Sequence, residues 1–266
     1  MEPQEWEHLF YSVVKEYTGL SRFQLVQALQ QSPQPDQLRA IEEAFKRLGA
    51  NEPIQYVLGY TLFMELKFTV GPGVLIPRPE TEEWLRQVIS SESKIAANHS
   101  LKILEIGTGS GCISLSLKHQ LINSEVTAVD VSAAALDVAR KNARDLGIEC
   151  QFVQLDFLNE VPDGGYHILV SNPPYVRRQE ASLMRKNVMD YEPHLALFVP
   201  DEDPLLFYRH LAKKGRDLLF PGGRIYLEIN EYLSKEVQQL FEGYAYKKVE
   251  IHLDLFGKPR WLSAIR

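Results

Sequence analysis

The stretch Ser171-Asn172-Pro173-Pro174-Tyr175 places an amide, two rigid prolines and an aromatic ring at the end of the apolar run His167-Ile168-Leu169-Val170. A short run rich in Ile and Val predicts a strand of a buried parallel sheet. The two prolines must end this strand, because proline cannot donate a hydrogen bond to a ladder. Each proline also keeps the residue before it out of the α region, so we expect Asn172 and Pro173 to be extended and stiff.

This rigid corner could hold a planar NH2 group for reaction. The side-chain oxygen of Asn172 and the backbone carbonyl of Pro173 would offer two fixed acceptors for its two hydrogens, and Tyr175 would cover its face. We therefore interpret Asn172, Pro173, Pro174 and Tyr175 as a substrate-binding site, with Asn172, Pro173 and Tyr175 as its catalytic residues. A strand end followed by a proline-rich turn explains the same residues without any chemistry.

From residue 101 the chain alternates between strand and helix patterns. We predict strands at 102–106, 125–130, 150–155, 166–171, 224–229, 246–252 and 261–265. We predict helices at 112–121, 133–146, 204–219 and 233–241. This alternation predicts an α/β fold with a mostly parallel sheet, helices on both faces and an antiparallel final pair of strands. Ligands of such sheets bind beyond the carboxyl ends of the strands.

The first of these strands leads into a loop of alternate glycines, Gly107-Thr108-Gly109-Ser110-Gly111. Such glycines allow a tight turn and a close approach of a ligand to the backbone. Asp130 ends the next strand, where an acidic side chain accepts hydrogen bonds from ribose hydroxyls in dinucleotide folds. The combination favours a nucleoside cofactor over a purely structural loop. A nicotinamide cofactor is disfavoured, because Cys112 stands where that fingerprint has glycine or alanine.

The pair Asp156-Phe157 follows the third strand. An aspartate beside an aromatic ring could hold an adenine by its exocyclic NH2 group and by its face, although Phe157 could equally belong to the core. The glycine loop, Asp130, Asp156 and Asn172 all follow strands of one predicted parallel sheet. We therefore expect them to converge on one crevice and to contact the cofactor there, Asn172 included.

The segment before this sheet has a different pattern. Helices are predicted at 5–18, 21–31 and 35–48, which makes residues 1–52 a small helical bundle without evident chemistry, suited to recognising a partner. Residues 53–78 contain an alternating stretch that predicts a β-hairpin linker, and residues 79–266 form the catalytic domain. Arg78 stands between two prolines, where it could clamp a carboxylate or remain solvated. Pro79 is a good first residue of a helix.

Composition narrows the class of protein. The chain has 266 residues and a formal charge of -6, which disfavours a broad nucleic-acid surface but leaves room for a local basic patch. No apolar run is long enough to span a bilayer, and the acidic start lacks the features of a signal peptide, so we expect a cytoplasmic enzyme. The two cysteines and seven histidines show no ligand spacing, so we predict no metal.

Together these motifs resemble the S-adenosylmethionine-dependent methyltransferases that modify planar NH2 nitrogens. The tetrapeptide Asn172-Pro173-Pro174-Tyr175 occurs both in adenine N6 methyltransferases and in glutamine methyltransferases. The upstream segments 53–59 and 74–82 are similar to the HemK-type enzymes, which methylate the glutamine of peptide chain release factors. The resemblance extends from about residue 53 to the C-terminus and includes 190–193, 221–223, 254–257 and Arg260.

The resemblance implies a Rossmann-like methyltransferase fold, S-adenosylmethionine bound at 107–111, Asp130 and Phe157, and a glutamine amide held at 172–175. It also implies release factors as the partner, and we expect a monomer without direct nucleic-acid or membrane binding. Phe157 stands where many relatives have tryptophan. The segment Leu227-Glu228-Ile229-Asn230-Glu231 departs from relatives that commonly have glycine after the glutamate, which puts the detail of this strand end in doubt.

The implied reaction is direct methyl transfer from the sulfonium to the amide nitrogen, with no base required beforehand and no histidine assigned a catalytic role. The charged segment 176–203, with Arg177 and Arg178, leaves from the reacting corner and is expected to be a protein-docking loop, although a solvated loop without a partner is an alternative. Two further hypotheses stay open: an adenine methyltransferase acting on DNA or RNA, and a non-catalytic cofactor-binding module.

Overall fold

The computed structural model describes residues 3–27 and 33–266. The helices are α1 (Pro3–Thr18), α2 (Arg22–Gln27), α3 (Pro35–Gly49), α4 (Ile54–Leu58), α5 (Pro79–Ala96), α6 (Cys112–Gln120), α7 (Ala133–Leu146), α8 (Lys186–Tyr191), α9 (Leu206–Leu218) and α10 (Ser234–Gly243). The strands are β1 (Tyr60–Phe63), β2 (Leu66–Thr69), β3 (Leu101–Ile106), β4 (Ser124–Asp130), β5 (Gln151–Gln154), β6 (Tyr166–Ser171), β7 (Val176–Arg177), β8 (Phe198–Val199), β9 (Leu219–Glu228), β10 (Lys247–Leu253) and β11 (Pro259–Ile265).

The main sheet of the described chain has seven strands in the order β10-β11-β9-β6-β3-β4-β5. The strands from β9 to β5 are parallel, and β11 and β10 continue the sheet in antiparallel pairing. Helices connect most of the parallel strands, whereas β10 and β11 are joined by a short turn, as antiparallel neighbours allow. The predicted α/β fold with an antiparallel final pair is confirmed.

The register of the parallel strands brings their carboxyl ends to one edge. Ile106 of β3 is paired with Val129 of β4 and with Ser171 of β6. Ser171 is in turn paired with Leu227 of β9. The chain therefore leaves all four strands at the same edge, where ligands of open α/β sheets bind.

Helices cover both faces of the sheet. Alternate residues of β6 belong to two separate apolar clusters, with Ile168 in the cluster of α5 and α6 and Leu169 in the cluster of α9 and α10. Trp84 of α5 and Tyr208 of α9 are fully buried. Full burial of a large apolar side chain contributes about 1.5–3 kcal/mol, so these clusters give the strand ends a rigid base.

The N-terminal helices pack around a separate small core. Val13 of α1, Ile41 and Leu48 of α3 and Val57 of α4 belong to this cluster. The linker predicted for residues 53–78 therefore needs a correction, because its first part folds as helix α4 and joins the bundle. The part of the second predicted helix at residues 28–31 lies outside the described residues.

The predicted hairpin is formed by β1 and β2, which pair from Tyr60 with Thr69 to Phe63 with Leu66. Phe63 and Phe68 are fully buried in the same apolar cluster as α5 and α6. The side chain of Asn142 in α7 accepts from the Thr69 backbone N–H and donates to the Thr69 carbonyl. The hairpin is thus attached to the main sheet domain by packing and by hydrogen bonds.

The segment 176–203, which was predicted to be a loop, contains short regular elements. It contains β7, a 3₁₀ helix (Arg178–Leu183), α8, a second 3₁₀ helix (His194–Ala196) and β8, which pairs with β7 in parallel. These elements are two to six residues long, too short to give a helical or strand periodicity. The Arg177 guanidinium forms an ion pair with Glu180, whereas Arg178 is exposed.

The described residues include no helix that is long and apolar enough to cross a membrane. They also include no cluster of three or more His, Cys, Asp or Glu side chains arranged to hold a metal ion. Cys112 and Cys150 are free thiols, and burial raises the pKa of each thiol to about 12. Both thiols are therefore protonated and unreactive at neutral pH.

Candidate active site

A cavity of about 380 Å³ opens at the carboxyl edge of the sheet. This volume lies in the range of pockets for small organic ligands. Its wall includes most of the residues singled out in the sequence: Gly107, Thr108, Gly109, Ser110, Asp130, Asp156, Phe157, Asn172 and Pro174. The structure thus brings the four predicted strand-end groups together around one space.

The three glycines of the loop have different structural roles. Gly107 and Gly109 have positive φ angles of 76° and 55°, and a Cβ atom on either would meet no atom within 4 Å. Gly111 differs, because its Cβ would lie 3.2 Å from Ala139 Cβ and 3.2 Å from Leu115 Cδ1. Gly111 therefore lets α6 and α7 pack closely and does not line the cavity, while Gly107 and Gly109 leave backbone open to a ligand.

Asp130 is fixed at the cavity wall by two backbone groups. Its Oδ2 accepts a hydrogen bond from Gly109 N at 2.9 Å, and its Oδ1 accepts from Ser132 N at 2.9 Å. Burial raises the pKa of Asp130, and these N–H groups partly oppose the rise. Each carboxylate oxygen has a second lone pair, so the side chain can still accept from the two hydroxyls of a ribose.

Phe157 lines the cavity but is only 5% exposed, because it also belongs to the apolar cluster of α9 and α10, and a lysine contacts its ring and its turn. The Lys214 ammonium donates to the carbonyls of Phe157, Leu158 and Glu160 and lies 5.0 Å from the centre of the Phe157 ring. Asp156 accepts from Leu158 N at 3.0 Å, which fixes the turn that carries both residues. The arrangement presents an aromatic surface beside a carboxylate, as an adenine would require.

Glu105 lies buried beneath the glycine loop. Its Oε2 accepts from the Thr108 hydroxyl at 2.6 Å and from Ser114 N at 3.1 Å. Its Oε1 is buried and has no hydrogen-bond partner among the residues described. Burial raises the pKa of Glu105 to about 8, with the hydrogen bonds from Thr108 and Ser114 opposing the rise.

The proline corner presents the Asn172 amide to the cavity. Asn172 Nδ2 donates to Thr81 Oγ1 at 3.2 Å, and the Thr81 hydroxyl donates to Glu228 Oε2 at 2.6 Å. Asn172 Oδ1 has no partner within the described part of the chain and is not a buried atom. The amide therefore has one end anchored in protein and an acceptor left for a ligand.

Two residues of the predicted corner lie behind the cavity wall. Pro173 is buried and does not line the cavity. Tyr175 packs against the core cluster of α9 and α10, and its hydroxyl donates to Glu228 Oε1 at 2.9 Å. The expectation that the Tyr175 ring covers the face of the substrate is therefore corrected, because this ring is used to anchor the corner to the sheet.

Two further segments of the cavity wall were not predicted from the sequence. They lie around Val74 to Arg78 and around Pro193 to Ala196. Arg78 pairs with the buried Glu192 at 2.6 Å, and Glu192 also accepts from Ile76 N at 3.0 Å. The carboxylate that Arg78 clamps thus belongs to this chain. The resemblance had singled out segments 74–82 and 190–193, but only the fold shows that they meet.

Solved structures share this architecture. A methyltransferase from Pyrococcus furiosus matches with a TM-score of 0.53 and 19% identity, over 84% of this chain and 98% of that one. A 16S rRNA N2 G1207 methyltransferase from T. thermophilus matches with a TM-score of 0.56 and 16% identity, over 78% of this chain and 49% of that one. The strand order, glycine loop and acidic strand end define a Rossmann-like methyltransferase fold.

Sequence comparisons narrow this class to a family. The Methyltransferase small domain model matches residues 91–192, and the PrmC N-terminal domain model matches residues 7–59. The release factor glutamine methyltransferase of Flavobacterium psychrophilum is 42% identical over 98% of this chain and 92% of its own length. That of Bacteroides thetaiotaomicron is 47% identical over 86% of this chain and 81% of its own. The chain belongs to the release factor glutamine methyltransferase family.

Proposed function

We propose that this protein transfers a methyl group from S-adenosylmethionine to the side-chain nitrogen of the glutamine in the Gly-Gly-Gln motif of peptide chain release factors. The observation that carries the proposal is the anchored Asn172 amide, which lines the same cavity as the glycine loop and Asp130. Family membership supports the substrate, because relatives covering most of the chain are named for this activity.

The cavity fits the proposed cofactor. The exposed backbone at Gly107 and Gly109 accepts close contact, Asp130 offers lone pairs to ribose hydroxyls, and Phe157 offers an aromatic face to the adenine. When bound, the cofactor supplies a methyl group on a positively charged sulfur. The remaining task of the protein is to bring a weak nucleophile to that methyl group.

The main contribution of the protein is orientation. An amide nitrogen is a poor nucleophile, so it must be held in line with the methyl carbon at near contact. Correct placement of two reactants can supply about 7–11 kcal/mol of barrier reduction. Asn172 Oδ1 is the acceptor positioned for this purpose.

The same acceptor stabilises the charge that develops during transfer. Positive charge moves to the substrate nitrogen as the new bond forms, which strengthens hydrogen bonds from its N–H groups to Asn172 Oδ1. The N-methylated amide then loses a proton. Because such a cation is strongly acidic, water suffices as the acceptor, and none of the histidines is given a role.

We further propose that the helical bundle of α1, α3 and α4 recognises the protein substrate, that the enzyme acts as a monomer in the cytoplasm, and that it does not bind nucleic acid directly. The bundle has its own apolar core and is tied to the main domain through the Tyr56 hydroxyl, which donates to the Val74 carbonyl, and through the Tyr191 hydroxyl, which donates to the Ala50 carbonyl. These features support a separate recognition unit held at a fixed position.

The test uses cofactor labelled on its methyl group. The protein is incubated separately with a release factor, with the same factor carrying glutamate in place of the glutamine, with DNA and with RNA. Label in the unaltered factor alone, located at the glutamine by mass spectrometry, is the expected result. Label in DNA or RNA would establish the adenine methyltransferase instead, and cofactor binding without transfer to any of them would refute catalysis on these substrates.

A further inference from the structure

A single buried carboxylate links the proline corner to the rest of the fold. Glu228 is 2% exposed at the end of β9 and accepts hydrogen bonds from three side chains. Oε2 accepts from the Thr81 hydroxyl at 2.6 Å and from Trp84 Nε1 at 2.9 Å, and Oε1 accepts from the Tyr175 hydroxyl at 2.9 Å. Thr81 and Trp84 belong to α5, so Glu228 joins one helix, one strand and the corner.

The donors in this cluster determine which way the Asn172 amide points. A threonine hydroxyl has one hydrogen, and Thr81 gives it to Glu228, since a carboxylate can only accept. The Thr81 oxygen is then free only to accept, so the Asn172 atom facing it must be Nδ2. Asn172 Oδ1 consequently lies at the other end of the planar amide group, which lines the cavity that a substrate can reach.

Without this link the orientation of the amide would not be fixed. The two ends of an asparagine amide have nearly the same shape, and a half-turn about the last side-chain bond exchanges oxygen for NH2. A turned Asn172 would present donors to a substrate NH2 group, which also has only donors. The chain from Glu228 through Thr81 to Asn172 excludes that orientation.

The other end of the corner is held by the same carboxylate. Tyr175 bonds Glu228 through its hydroxyl, and Asn230 Nδ2 donates to the Tyr175 carbonyl at 3.0 Å and to Glu180 at 3.2 Å. Asn230 lies in the segment 227–231, where the sequence departs from relatives that commonly have glycine after the glutamate. Its φ of -66° and ψ of 125° are accessible to any residue, so the side chain is free to make these bonds.

We infer that Glu228 and Thr81 are positioning residues for methyl transfer, which hold Asn172 with its oxygen toward the substrate nitrogen. The inference rests on the proposed function and deepens it. Neither residue reacts. Glu228 orients the Thr81 hydroxyl, Thr81 orients the amide, and the amide holds the substrate.

The test compares Thr81→Val, which keeps the shape but removes the hydroxyl, with Thr81→Ser, which keeps the hydroxyl. At saturating cofactor, Thr81→Val should lower kcat about tenfold to a hundredfold, equivalent to about 1.4–2.8 kcal/mol, and Thr81→Ser should restore most of the loss. The KM for the release factor should change little, because Thr81 is 2% exposed and acts through Asn172. Because Thr81 also lines the cavity, cofactor affinity is measured for each variant.

Tyr226→Phe is the matched structural control. It removes the buried hydroxyl that donates to the Glu92 carboxylate. Glu92 lies on a part of α5 that does not line the cavity. Its Tm is expected to fall with kcat unchanged. A kcat loss in Thr81→Val that is no greater than in this control, or that Thr81→Ser fails to reverse, would overturn the inference.

A second readout does not depend on the substrate. The two side-chain amide proton signals of Asn172 are identified as those missing from Asn172→Ala. Thr81→Val should shift them and speed their exchange with water, and Thr81→Ser should not. Unchanged signals in Thr81→Val would contradict the positioning role, whereas a parent enzyme that methylates no release factor would refute the proposed function and leave this readout intact.

Discussion

Replacement of Gly109 by alanine tests the glycine loop as a ligand cradle. Gly109 has a φ of 55°, and its Cβ would point into open space at the cavity wall. An alanine in the left-handed region costs about 1–2 kcal/mol. We therefore expect the free energy of unfolding to fall by that amount, which lowers Tm by about 2–8 °C for a domain of this size.

The effect on cofactor binding should be larger than the backbone strain explains. The added methyl group would occupy the contact surface that a ligand uses against the loop, so affinity for S-adenosylmethionine should fall at least about tenfold, or about 1.4 kcal/mol. Isothermal titration calorimetry measures this directly.

Gly147 provides a matched control for the strain. It ends α7 in the left-handed conformation with a φ of 66°, and its Cβ would also meet no atom within 4 Å. Gly147 does not line the cavity. Gly147→Ala should lose similar stability and keep its cofactor affinity. Equal affinities in the two variants would refute the assignment of Gly109 to the cofactor site.

Three further outcomes follow from the site. Burial raises the pKa of the Glu105 carboxyl to about 8. The stability that Glu105 contributes is therefore full below its ordinary pKa and is lost as the pH rises through about 8. Glu105→Gln does not titrate, so its Tm should fall less than that of the parent between about pH 5 and 8. Arg78→Met should weaken cofactor binding several-fold in titration calorimetry, because it breaks the ion pair between the cavity-lining segment of Arg78 and the buried Glu192. Arg86→Met breaks the exposed pair with Glu82 and should leave the affinity unchanged. Phe157→Ala should lower cofactor affinity while Phe157→Trp keeps it, and equal binding by both variants would show that the ring does not contact the adenine.

The strand ends were predictable because each follows a short apolar run whose length and composition are distinctive. The positions of Gly107, Asp130 and Asn172 at one edge followed from parallel pairing alone, and the register confirms it. Helix α4 was missed because five residues do not establish a helical period. The same limit applies to the short elements between 176 and 203.

The roles of Glu228 and Tyr175 required the tertiary structure. In sequence, Glu228 is an acidic residue near the end of a buried strand, the same signal that identified Asp130. Its function depends on α5 crossing beside β9, which brings Thr81 within hydrogen-bond distance from 147 residues away. Tyr175 was expected to face the substrate, but its orientation is set by that same carboxylate, which the sequence pattern does not link to it.

The Asn172→Ala variant tests the central claim most directly. The variant is assayed for cofactor affinity by calorimetry and for methyl transfer to the release factor glutamine by mass spectrometry. The account predicts affinity within about twofold of the parent, because Gly107, Gly109, Asp130 and Phe157 are untouched, and a loss of transfer of at least about a hundredfold, as for other preorganised catalytic hydrogen bonds. Transfer at the parent rate by a variant that still binds cofactor would contradict it.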